Sequence, residues 1–227
     1  MEFDDIFDHV MDKMDGFPEI DYRFTTMDGY INEITEFLEF TYAQKIQRLK
    51  AKIPTIEDPI EQGEMEGELD QLEEDGLEYL SHTIWGGVLV SIFATYESSV
   101  QELFSFFESK HGKPKFIKEP KKSFIECAEN HSRNNLKVGL FHDQTDKLLL
   151  KDLSKLRNSY VHNGCNLNLL PKRLCEAIVE KKYGKYSLSA KDEKWIANAQ
   201  NAKLYFRYIY NSFLSYRRRV TDVLFDR

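Results

Sequence analysis

From Leu77 to Phe107 the large apolar residues fall three or four apart without a break: Leu77, Leu80, Ile84, Val88, Ile92, Tyr96, Val100, Leu103 and Phe107. That is the period of an α-helix, held for about eight turns. A helix with so long an apolar stripe must bury it against other helices or a sheet. The rest of the chain offers helices. Ile31, Ile34, Leu38, Tyr42, Ile46 and Leu49 mark one, ending near Lys52–Pro54. Ser123–His131 predicts a shorter one. Asp143 is a candidate N-cap, with Asp146 in the first turn, for a helix burying Leu149, Leu153, Leu156 and Tyr160.

The clearest seam is the last. Ser189 and Asp192 have the spacing of a capping box, and Trp195, Ala199, Ala202, Phe206, Ile209, Phe213, Tyr216 and Val220 follow at alternating spacings of four and three. No segment alternates with period 2 for long enough to predict a strand. Six Pro and eleven Gly are too few for a fold of many tight turns. The expected class is all-α, a bundle of five or six helices. Residues 53–68, with two Pro, two Gly and many Glu, read as a linker, and the Glu57–Glu78 run as partly disordered. The expected division is therefore an acidic helical extension and linker over 1–65 and a helical core over 66–227. Gly86-Gly87 predicts either a close helix approach or a bend.

Charge is divided along the chain. Residues 1–109 hold 6 basic and 26 acidic residues, and residues 110–227 hold 25 and 12. A net charge of −7 argues against nucleic acid as a partner of the whole, but the basic half suits it. Mutual attraction of the halves explains the division equally well. Lys113–Lys122 and Arg217-Arg218-Arg219 are candidate phosphate contacts or ordinary solvated surface. The apolar run Thr83–Tyr96 is too short to span a bilayer. Three unpaired Cys and an N-terminus without a signal-peptide pattern predict a cytoplasmic setting. No HExxH, CxxC or glycine-rich phosphate loop occurs, so no metal and no cofactor are expected.

The remaining feature is LRNSYVHNG, residues 156–164. An apolar helix ends there on Asn163-Gly164, a strong stop signal. Arg157 lies on the helix and His162 at or just past its last turn. Both are cations near a helix C-terminus, which the helix dipole favours without any further role. Cys165 is close in sequence to His162, but a Cys–His nucleophile also needs an orienting group and a cleft.

Arg157-Asn158 followed by His162, at the end of a helix in an all-helical chain, resembles the signature of the HEPN superfamily (higher eukaryotes and prokaryotes nucleotide-binding). FATYESSVQELF, residues 93–104, is similar to the long first core helix of such domains, with Glu97 at the place of a recurrent Glu. The resemblance covers roughly residues 70–225 and leaves the N-terminal extension without a counterpart. It implies a metal-independent endoribonuclease acting as a homodimer, with the Arg–His motifs of two protomers in one cleft. On that reading Arg157 clamps the phosphate, His162 moves protons, Asn158 orients Arg157 or the ribose, and Glu97 holds Arg157. RNA is then the substrate. A toxin or abortive-infection (anti-phage) role, with an antitoxin or regulatory protein as partner, follows from the resemblance alone. Some relatives carry a Tyr two residues after the His, which a partner enzyme modifies; here that position is Gly164. The alternative expectation is a catalytically inactive HEPN-like module that binds RNA or a protein partner.

Overall fold

The computed structural model describes residues 18–179, 189–191, 194–197 and 199–225. They form an all-α bundle. Helix α1 is Pro18–Lys52 and α2 is Pro59–His111, separated by a 3₁₀ turn, Ile53–Thr55. Then come α3 (Phe124–His131), α4 (Gln144–Asn163), α5 (Lys172–Val179) and α6 (Ala199–Phe225). A hairpin of two three-residue strands, β1 (Ser189–Lys191) and β2 (Lys194–Ile196), joins α5 to α6.

The stretch expected to be a linker is mostly helix. Asp58 caps α2, its carboxylate accepting the Ile60 N–H at 2.9 Å, and Pro59 opens the helix where no amide hydrogen is needed. Gly63 and Gly67 lie inside α2 with open space around them. The acidic run faces the basic end of α1: Lys45 pairs with Glu68 at 2.8 Å and Lys50 with Glu73 at 2.7 Å. The Tyr42 hydroxyl donates to the Leu72 carbonyl, and Leu49, Ile53 and Leu72 bury a small apolar cluster beside it. Composition alone suggests disorder; these partners supply the order. The expected boundary at residues 65/66 falls inside α2.

At its other end α1 joins the main core. Ile20, Phe24 and Ile31 are buried there, with Phe24 against Phe206, Tyr210 and Phe213 of α6. The pairs Arg23–Glu102 and Arg217–Asp21 tie the same end to α2 and α6. The α1–α2 pair is thus an antiparallel hairpin whose open end grips α6.

The final helix starts later than its apolar spacing predicts. Ser189 is not an N-cap but a strand residue, its Cα opposite Ile196, while Asp192 lies outside the described residues. The backbone groups that would open a helix there pair across the hairpin instead, and α6 begins at Ala199. From Ala202 onward Phe206, Ile209, Phe213, Tyr216 and Val220 are buried as the seam requires.

Candidate functional site

Helix α4 carries the motif. Its start is fixed by Asp143, which accepts the Asp146 N–H at 2.8 Å. Leu149, Leu150, Leu153 and Leu156 bury one face against α2 and α6. Its end is fixed by Gly164, which adopts φ 55° and donates its N–H to the Ser159 carbonyl. Position depends on one close contact. The Tyr160 ring lies over the backbone of Gly86 in α2, so that a Cβ there would meet Cε2 at 1.8 Å. Gly86 therefore permits a close approach, whereas a Cβ on Gly87 would meet nothing within 4 Å.

Within this frame Arg157 is half-buried. Its Nη1 donates to Asn158 Oδ1 at 2.9 Å, and its Nε is buried without a hydrogen-bond partner among the described residues. It borders a cavity of about 10 Å³ lined by Leu89, Ile92, Phe93, Leu153 and Ile209, among others. That is the room of roughly one water, too small for a nucleotide. Glu97 of α2 is close enough to feel the Arg157 charge. Burial pushes its carboxyl above the usual carboxylate range, opposed by Arg157 and by Lys118. No ion pair within 4.0 Å joins Glu97 to Arg157; the structure places them as electrostatic neighbours.

His162 is in the last turn of α4 and exposed. Its side chain makes no hydrogen bond or ion pair among the described residues. Five residues along one continuous helix set Arg157 and His162 about 140° apart around the axis. One chain thus presents the guanidinium towards α2 and the imidazole to solvent, and does not bring them together.

Two neighbours were not evident in sequence. The first is Lys118. It sits in the basic loop 112–122, which is pinned to the core: the Phe116 ring packs on Phe104, Phe124 and His131. The second is His82 of α2. Its Nε2 lies 3.3 Å from Cys165 Sγ, and its Nδ1 accepts the Ala197 N–H at 3.0 Å. Because Nδ1 is an acceptor, the ring proton resides on Nε2 and is donated to sulfur. A protonated Nε2 has no vacancy for the thiol proton, so this pair is not a base-activated nucleophile. It clasps the turn after the motif to α2 and to the β-hairpin. Cys165 itself is buried and held at φ 64°.

Among the described residues no group of three or more His, Cys, Asp or Glu side chains could hold a metal ion. No helix there is long and apolar enough to cross a membrane. No protein-family model matches this chain, and no curated protein or solved structure matches it.

Proposed function

We propose that the chain is a metal-independent endoribonuclease of HEPN type, with a composite site formed by the α4 ends of two copies. The observation carrying this reading is the arrangement on α4: a guanidinium oriented by the adjacent Asn158 and facing Glu97, with an exposed imidazole, unengaged among the described residues, one and a half turns on. Cleavage of RNA by its own 2′-OH needs a base for the hydroxyl proton and an acid for the leaving 5′-oxygen. Imidazole titrates near neutrality, but one chain supplies one motif imidazole. A two-fold pairing supplies the second and a second guanidinium for the phosphorane-like charge. Arg157 binds non-bridging phosphate oxygens through its planar fork, and Asn158 keeps that fork in place. The 140° separation within one chain suits a site in which each copy's His162 meets the other's Arg157. The sparse, unpaired cysteines suit a cytoplasmic setting, and by resemblance the role is that of a toxin or anti-phage effector, restrained by an antitoxin or regulatory protein.

The test is RNA incubated with purified protein in EDTA. Cleavage by the wild type, leaving 2′,3′-cyclic phosphate ends, and none by His162→Ala is expected. Intact RNA, or equal cleavage by the variant, removes the reading.

The half-burial of Arg157, with its Nε unpartnered beside an apolar cavity, favours a second reading: a HEPN-like module that binds RNA or a protein and does not cleave. It predicts binding without turnover, and that Arg157→Ala alters assembly.

A further inference from the structure

Helix α1 has a second apolar face that the bundle does not cover. Tyr22, Tyr30, Phe37 and Phe40 are 70%, 51%, 65% and 63% exposed. At 100° per residue these four fall within an arc of about 80°, opposite the buried Ile20, Phe24 and Ile31, and run for roughly 27 Å along the helix. Their exposed rings together amount to an area on the order of 400 Å², within the range of the largest apolar patch on a typical monomer, which is often functional.

By the same rule Glu33 falls inside this arc and Glu36 about 40° outside it, while Asp28 and Glu39 lie further round the helix. From Phe24 to Gln44 the helix has four acidic residues, Asp28, Glu33, Glu36 and Glu39, and no basic one. All four are exposed, and none makes an ion pair within 4.0 Å among the described residues. Arg23 of α1 pairs with Glu102, and Arg217 of α6 with Asp21 of α1, while Arg218 of α6 is exposed. A second copy on this face would bring two acidic surfaces together, an unfavourable like-charge contact.

We propose that the outer face of α1 is a docking surface for an amphipathic helix of a partner protein that carries Lys or Arg along its flank. Aromatic side chains at 22, 30, 37 and 40 give the apolar seam, and the carboxylates set orientation and partner choice. This inference is independent of the Arg157–His162 reading, because α1 and α4 pack separately on α2 and α6.

The probe is a labelled 20-residue peptide of Leu and Lys, apolar at i, i+3, i+4 and i+7, titrated onto the full chain at about 0.15 M salt and read by fluorescence anisotropy. Saturable binding at one peptide per chain is expected, weakened about tenfold or more in Phe37→Ser/Phe40→Ser. Glu33→Lys/Glu36→Lys should weaken it too, and should admit the Leu/Glu counterpart peptide that the wild type rejects. Both pairs are exposed, and unchanged circular dichroism confirms the fold. Equal binding by wild type and Phe37→Ser/Phe40→Ser would mean general charge attraction and overturn the proposal. So would no binding, or a wild-type dimer in sedimentation that the same variant dissociates.

Discussion

The two ends of α4 differ in what accounts for their residues. In the first three turns the carboxylates have intramolecular partners. Asp146 accepts from the Tyr208 hydroxyl at 2.6 Å and the His142 N–H at 3.0 Å, and buried Asp152 pairs with Arg173. In the last two turns the bundle explains Tyr160 and Ser159 but not Asn158 or His162, nor why Arg157 is kept beside a carboxylate it does not bond. Residues that folding leaves unexplained are where function is to be sought.

The contrast is broken first at His162. His162→Ala should lower RNA cleavage by about 10²–10⁴-fold, the usual worth of a general acid–base group, with an unchanged melting temperature because the side chain is exposed. A drop in melting temperature of several degrees would make it a structural residue instead. The next largest effect falls on the frame. Gly86→Ala drives a methyl into the Tyr160 ring and should cost about 1–3 kcal/mol in denaturant unfolding. Gly87→Ala, with open space, should be neutral or gain up to about 1 kcal/mol from helix propensity. Equal effects at the two glycines would mean that α4 is not held as described.

A smaller effect separates binding from chemistry. Lys115→Glu/Lys118→Glu reverses charge in the pinned loop beside Glu97. It should raise KM for RNA several-fold, most at low salt, with kcat nearly kept. The smallest effects are in pH dependence, and they have opposite signs. Burial holds the His131 imidazole below its ordinary value, against Glu108. The unfolded chain takes up that proton first, so stability falls as pH drops below about 6.5 and levels off below the folded value. Burial holds Glu97 above its ordinary value, so the folded chain keeps its proton longer and stability falls as pH rises through the window up to the folded value. Denaturant midpoints against pH should lose the first slope in His131→Leu and the second in Glu97→Gln.

Much of this frame is legible in sequence because burial imposes a period. The seams of α2, α4 and α6 need only spacing, and the start at Asp143 and the stop at Gly164 need only side-chain and φ chemistry. What sequence hides is what depends on partners distant in the chain. The acidic run of α2 reads as disordered until Lys45 and Lys50 of α1 lie against it. Ser189 reads as a cap until its strand finds Ile196. Gly86-Gly87 signals a close approach or a bend, and only the Tyr160 ring decides which glycine matters. At the site, Arg157, Asn158, His162 and Glu97 are legible as a pattern. The contribution of Lys118 and the His82–Cys165 clasp are not, because neither follows from local spacing.

The central claim is that two copies complete one site, and subunit mixing tests it most directly. Wild type is equilibrated with increasing amounts of Arg157→Ala/His162→Ala at constant total protein, and RNA cleavage is followed in EDTA. If both copies supply essential groups, activity falls with the square of the wild-type fraction, to about a quarter at equal amounts. A linear fall, to about half, would mean that each chain cleaves alone and would contradict the account.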